Sequence, residues 1–306
     1  MNIALENINN SILEDPASFI KETNAAYRER LREIAHDIAE NREKRPIILL
    51  SGPSGSGKTT SALMIESMLD KEGLETHTLS LDNYFSTLSD REKALFAEGK
   101  LDLESPNRVD ADFLTEQLTA IYNCEPVRLP TYDFKESTRV FNGEVLHRKP
   151  GELVILEGIH SLNPDVVGLP DENSAKIYVS VRTRITCNGE ELHPSKIRLM
   201  RRLVRDLLFR KRSFHDTMMM YNSVEEGENK YIMPYKYRST YDVDTFMAYE
   251  ICAYKPFLLE AFEQMHDNPL VEDMLRFLSD AAPLLPDEVP PDSLICEFIG
   301  KGEFNS

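Results

Sequence analysis

The run Gly52-Pro-Ser-Gly-Ser-Gly-Lys-Thr-Thr60 carries the clearest chemistry in this sequence. Gly52, Gly57, Lys58 and Thr59 fit the spacing G-x-x-x-x-G-K-[ST] without a misfit, and Gly55 adds a flexible point. Successive backbone N–H groups can turn inward on phosphate oxygens only where no side chain stands in the way. In this pattern Lys58 bridges the β- and γ-phosphates of a nucleotide, and the Thr59 hydroxyl ligates Mg²⁺. Gly52, Ser54, Gly55, Ser56, Gly57, Lys58, Thr59 and Thr60 together form the predicted cradle for ATP, with GTP not distinguished from it.

Two carboxylates could work beside such a cradle. Asp82, in THTLSLDNYF, follows a strand-like run, at the edge where open α/β sheets bind ligands. An aspartate there can take the proton of an acceptor hydroxyl and stand near Mg²⁺; its ordinary alternative is a turn or cap. Glu157 ends the apolar run Leu153, Val154, Ile155, Leu156, where solvation alone explains an acid poorly and a metal-shell role explains it well. A salt-bridged structural glutamate is the plainer reading. The seven histidines show no metal-ligand spacing, so His160 reads as structural, and no serine stands in a G-x-S-x-G setting.

The elements that must position these groups are also visible. PIILLS, ETHTLSLD, GELVILEGI and AKIYVSV are strand-like and alternate with helical patterns, which predicts a parallel sheet covered on both faces. A helix over 59–70 follows the glycine loop, with Ala62, Ile65 and Leu69 on one face and Gly73 as its stop. Residues 18–43 read as an exposed helix rich in Arg and Glu, packed beside the domain and not part of its catalytic core. Near the end, PLVEDMLRFLSD reads as a helix, APLLPDEVPP as a connector, and SLICEFIG as a short closing element.

Composition narrows the classes. The formal net charge of −17 argues against nucleic acid as partner, and no apolar run approaches a membrane span. Four separated cysteines and the lack of a signal-peptide pattern lead to the expectation of a soluble cytoplasmic protein. One segment, Lys196 to Arg212, has eight basic residues and one acidic residue, a local charge of +7 against −24 elsewhere. Such an island suits a small anionic ligand. Arg198, Arg202 and Arg205 share a helix face, with Leu199, Leu203 and Leu207 on another; a solvated face is the simpler alternative.

GPSGSGKTT, LDNYF, PTYDF with Arg139, ILEGI and RRLVRD occur in the order seen in the phosphoribulokinase and uridine kinase family, which residues 47–246 resemble. The wording EGIHSLNP, GENKYIMPY and SLICEFIG is closest to the kinase portion of bacterial uridine-kinase-like proteins with a TGS-type domain in front. The 306 residues leave no room for that domain, so a stand-alone version is expected. The resemblance implies a P-loop NTPase α/β fold in three layers, with a mainly parallel sheet, a helical arginine lid and peripheral terminal helices. The expected division is 1–45 as an N-terminal helical extension, 46–265 as the kinase domain with its lid at about 190–235, and 266–306 as a C-terminal helix and tail.

Carried over by position, the resemblance makes Asp82 the acceptor-activating base and Glu157 a Mg²⁺ ligand beside Thr59. Glu104 stands where uridine kinases carry an aspartate that grips ribose hydroxyls, and Tyr132 and Phe134 match residues that wall the nucleoside pocket, with Arg139 after them. Core packing is the other use for either aromatic ring. Ser137 replaces the histidine that reads the pyrimidine edge, which puts pyrimidine specificity in question. Arg202, Arg205, Arg210 and Arg212 fall on the lid positions, with Arg205 among the catalytic groups. The implied activity is transfer of the γ-phosphoryl group of ATP to a hydroxyl of a small molecule, foremost the 5′-hydroxyl of uridine or cytidine. Alternatives are another sugar or polyol-like acceptor, or a nucleotide-sensing protein that hydrolyses ATP slowly. Association into a homo-oligomer is left open.

Overall fold

Along the chain, strand β1 (Asn2–Ala4) leads into helices α1 (Leu5–Glu14) and α2 (Pro16–Glu40), then β2 (Ile47–Ser51), α3 (Lys58–Lys71) and β3 (Thr76–Ser80). There follow α4 (Asp90–Ala97), α5 (Ala111–Tyr122), the short strands β4 (Val127–Arg128), β5 (Thr131–Asp133), β6 (Thr138–Val140) and β7 (Val145–Leu146), and then β8 (Leu153–Glu157). The second half has β9 (Ser174–Ser180), β10 (Arg184–Cys187), β11 (Glu190–Leu192), α6 (Pro194–Phe209), α7 (Phe214–Met219), α8 (Tyr221–Gly227), β12 (Tyr241–Asp244), α9 (Glu250–Glu263), α10 (Pro269–Asp280) and α11 (Cys296–Ile299). This computed structural model describes residues 1–300 and 302–304.

The central sheet has the order β12-β9-β2-β8-β3, and every pairing in it is parallel. β2, β8 and β9 are buried at every position, as continuous apolar strands must be when helices cover both faces. Side chains alternate between the faces. Ile48, Leu50, Ile155, Ile177 and Val179 join one hydrophobic cluster with α1, α2, α3, α6, α9 and α10, whereas Ile47, Leu49, Val154, Leu156 and Tyr178 join a second cluster with α5. The result is the three-layer α/β arrangement expected of a P-loop protein.

Register brings the chemistry to one edge. Ser80 pairs with Glu157, which also pairs with Leu50, so the carboxyl ends of β3, β8 and β2 lie side by side. The glycine loop leaves the end of β2, and the turn containing Asp82 leaves the end of β3. The fifth strand, β12, escaped the sequence reading because it is short and carries Asp242 and Asp244 in place of an apolar run.

The N-terminal helix corrects one expectation. α2 is not an exposed helix: Ile20, Asn24, Tyr27, Leu31, Ile34, Ala35 and Ile38 are buried at helical spacing, and the Tyr27 hydroxyl lies 2.7 Å from that of Ser61 in α3. Its charged outer face masks this stripe in the sequence. β1 also joins the fold, pairing in parallel with β10. Among the described residues, no helix is long and apolar enough to cross a membrane.

Candidate active site

The glycine loop is shaped by close approaches. A Cβ on Gly52 would stand 2.1 Å from the Val179 carbonyl oxygen and 2.8 Å from Ser56 Oγ, so only glycine lets β9 and the loop meet. Gly57 has φ +82° at the N-cap of α3, where Thr59 and Lys58 start the helix. Ser56 Oγ is buried and, among the described residues, without a hydrogen-bond partner, and Lys58 Nζ donates at 3.3 Å to the Pro53 carbonyl at the loop's own start. A glycine loop opening onto a helix N-terminus, with an ammonium group across it, is a fitting seat for a polyphosphate.

α6 lies directly on this loop. Arg198 Nη1 donates to the Ser54 carbonyl at 3.1 Å, and the same guanidinium forms a two-pronged pair with Glu228 at 2.6 and 2.7 Å. Arg201 Nη1 donates to the Gly55 carbonyl at 3.1 Å, and the rest of its fork is taken by Glu250 and Thr245. Arg201 is fully buried, which the sequence reading missed. The signal was present, since Arg201 falls in the stripe of Ile197, Met200 and Val204, buried at helical spacing.

The carboxyl groups converge as the strand register requires. Asp82 keeps partial solvent contact yet is crowded by protein, and burial raises its pKa, while Lys58, Arg108 and Arg210 pull it back. Burial pushes Glu157 up to about 7, opposed by Lys58 and reinforced by Asp82 and Glu297. Glu104 is likewise raised to about 7 by burial, with Arg202 opposing and Glu228 adding to the rise. Lys58 therefore faces all three carboxyls, and the acids feel one another. His160 is buried, with its pKa lowered to about 4 by desolvation, so it is neutral near pH 7 and carries no charge into the site.

The arginines expected on a lid divide. Arg202 is buried, its Nε has no hydrogen-bond partner among the described residues, and its strongest charge partner is Glu104. Arg205 and Arg210 each lie 3.5 Å from buried Asp206, and Arg210 also feels Asp82. Arg212 is tied to Asp206 at 3.2 Å. One buried aspartate thus gathers three guanidiniums near the loop without cancelling their charge.

The residues expected on the acceptor side are more open. Tyr132 is buried, its ring edge-on to Phe85 at 5.6 Å, whereas Phe134 packs on Tyr132 at 5.1 Å and is 63% exposed. Ser137 lies in the turn between β5 and β6 with φ +53°, its carbonyl held by the Leu88 amide. Arg139 pairs with Asp110 at 2.9 Å and stacks over Phe113. Arg108, not singled out from sequence, lies over the Phe85 ring at 4.6 Å and reaches the Tyr132 hydroxyl at 3.4 Å, with its Nε buried and without a hydrogen-bond partner among the described residues.

Glu104 is held by a steric contact with consequences. A Cβ added to Gly227, at the end of α8, would stand 2.4 Å from Glu104 Cβ and 2.7 Å from its Cγ. Gly227 has helical backbone angles, so alanine would suit the helix itself and act only through the clash. Gly227→Ala is expected to displace Glu104 and raise the KM of the acceptor about tenfold or more while leaving the Kd for ADP nearly unchanged. Steady-state kinetics paired with an ADP titration checks this, and an unaltered acceptor KM would separate Glu104 from the acceptor.

Comparison with known proteins agrees with this geometry. A model of the phosphoribulokinase / uridine kinase family matches residues 47–248. The chain is 34% identical over 198 residues to a uridine kinase of Lactobacillus helveticus, covering 63% of this chain and 83% of that one. It is 33% identical over 192 residues to a uridine kinase of Staphylococcus haemolyticus, covering 62% and 83%. A solved structure from Silicibacter sp. TM1040, described as a fructose transport system kinase, superposes with a TM-score of 0.53 at 18% identity, over 70% of this chain and 98% of that one, a likeness of fold alone. With the phosphate cradle, the parallel sheet and the match over two thirds of its length, the chain belongs to the phosphoribulokinase and uridine kinase family of P-loop kinases.

Proposed function

We propose that this P-loop kinase transfers the γ-phosphoryl group of ATP to the 5′-hydroxyl of a pyrimidine nucleoside such as uridine or cytidine. The observation that carries the reading is the meeting of Lys58 with Asp82, Glu157 and Glu104 at the carboxyl edge of the sheet, against a glycine loop overlain by arginines. Similarity to uridine kinases supports the choice of acceptor.

In this reading Asp82 takes the proton of the acceptor hydroxyl as its oxygen bonds to the γ-phosphorus, and the bond to the β-phosphate bridging oxygen breaks to release ADP. Lys58 and the guanidiniums of Arg202, Arg205 and Arg210 match the charge spread over the transferring group. Glu104 accepts from two vicinal hydroxyls of the acceptor. Thr59, Glu157 and Asp82 would hold Mg²⁺, which supplies charge neutralisation and orientation of the phosphates. Among the described residues, no three His, Cys, Asp or Glu side chains form a ready metal cage. That donor set fits Mg²⁺, which is commonly held by one or two carboxylates together with substrate phosphates and water.

A second reading is favoured by Arg108. Its cation stands in the aromatic acceptor pocket close enough to pull on the Asp82 carboxyl, and with Ser137 replacing a base-reading histidine it suits a sugar phosphate or related polyol-like acceptor. A screen of nucleosides, sugars and sugar phosphates scored by ADP release separates the two. Stimulation of ADP release more than tenfold by uridine or cytidine alone upholds the first reading, and stimulation only by phosphorylated sugars replaces it. Acceptor-independent release throughout would instead fit a nucleotide-sensing protein.

A further inference from the structure

The C-terminal segment reaches into the phosphate cradle. One oxygen of the Glu297 carboxylate accepts from both donors of Thr60, the backbone N–H at 3.2 Å and the hydroxyl at 2.7 Å. The first N–H groups of a helix lack intrahelical partners and are what a P-loop offers to phosphate. Since Lys58 reaches the β- and γ-phosphates and Thr59 the cation, the donors of Thr60, one residue further into α3, face the α-phosphate end. An internal anion is therefore seated on donors that a nucleotide needs.

The surroundings show a built contact. Leu294 lies against Gly57, with its Cδ1 2.9 Å from where a Cβ would stand. The Ser293 and Tyr249 hydroxyls are 2.6 Å apart, and Tyr249 donates to Asn24 of α2 at 2.8 Å. Arg28 pairs with Asp292 at 2.5 Å, and the Arg201 guanidinium lies 5.1 Å from the centre of the Phe298 ring. Residues 293–296 and 298–300 are buried, whereas Glu297 keeps partial exposure. The backbone is anchored on both sides, so the Glu297 side chain can turn away about its own bonds without the segment unfolding. Its charge is also felt by Glu157, within the same site.

We propose that Glu297 sets the nucleotide affinity of this kinase, its carboxylate competing with the α-phosphate of the nucleotide for the amide and hydroxyl of Thr60. The inference rests on the cradle holding a nucleotide. Two anions cannot share one pair of donors, so nucleotide entry has to break two hydrogen bonds to a charged acceptor, which belong to the stronger class. Removing the negative charge while keeping the side chain's shape lowers that cost.

The test is a calorimetric titration of the wild-type protein, Glu297→Gln and Glu297→Ala with ADP and, separately, with adenosine, which lacks the phosphate. The ADP Kd is expected to fall about tenfold in Glu297→Gln, or about 1.4 kcal/mol, and at least as far in Glu297→Ala. Adenosine affinity should stay the same, the Tm of the free protein should fall slightly because Thr60 loses its charged acceptor, and the KM for ATP should fall while the KM for the acceptor does not move. ADP affinity that is unchanged or weaker in both variants overturns the inference, and weaker adenosine binding would give Glu297 a ribose contact in its place. If none of the three proteins binds ADP, the nucleotide reading fails and the inference with it. Equal ADP binding by all three sinks the inference alone.

Discussion

Replacing Asp82 by Asn is expected to lower kcat by about 10²- to 10⁴-fold, the usual contribution of a positioned general base, while the Kd for ADP changes little. The substitution preserves size and keeps an acceptor oxygen at the turn after β3. It removes the capacity to take a proton, and it leaves Lys58, Arg108 and Arg210 without the charge they face. The amide folds as the acid does, because among the described residues the Asp82 side chain makes no hydrogen bond that shapes the loop; its backbone N–H is capped by Ser80 Oγ at 3.4 Å. Turnover and ADP binding measured on the same preparation separate chemistry from seating. Wild-type turnover in this variant would remove Asp82 from the proton transfer and shift the search to Glu157 and Glu104, the other two raised carboxyls that face Lys58.

Arg201→Met should destabilise the protein by about 3–5 kcal/mol, the range for breaking one partner out of a buried ion pair. Arg201 and Glu250 are both wholly buried and joined at 2.7 and 3.0 Å. Losing the guanidinium leaves Glu250, among the described residues, with the Met247 amide and the Tyr254 hydroxyl as donors, short of what a buried carboxylate requires. The Gly55 carbonyl loses its 3.1 Å clamp at the same time, so the KM for ATP should rise as well. Denaturant unfolding measures the first effect, and a loss below about 1 kcal/mol would contradict the buried-pair account. Arg201→Met combined with Glu250→Gln should recover part of the loss by removing the stranded charge, which a purely volumetric account of the site does not predict.

Some of this molecule could be read along the chain because its causes are local. The glycine spacing from Gly52 to Gly57 states a backbone need. The uninterrupted apolar runs at 47–50 and 153–156 state burial on both faces, and the end positions of Asp82 and Glu157 follow from where those runs stop. The helix after the loop begins at Lys58 and ends before Gly73, whose φ of +83° is the left-handed stop expected there. α10 likewise covers Pro269–Asp280, as its periodicity predicts.

Other features depended on partners far away in sequence. The buried stripe of α2 is thin beside its charged face, and its meaning depends on α3 lying against it. Glu297 is a single charge inside an apolar stretch, the same signal that marked Glu157, whereas Arg201 stands among seven other basic residues that hide it. Their roles came from Glu250, 49 residues from the arginine, and from Thr60, 237 residues from the glutamate. Arg108 and Phe134 show the same limit, since one aromatic wall is buried and the other exposed for reasons that lie in the packing of Phe85 and Tyr132.

Residue order alone thus established the phosphate cradle, the parallel sheet and the two edge carboxylates, because backbone sterics and hydrophobic periodicity act over a few neighbouring positions. Folding in three dimensions was needed to set the arginine-clamped loop, the arrangement of the acceptor pocket and the carboxylate at Thr60. Those depend on which distant side chains share a buried space, where a charge must find its partner or stay costly.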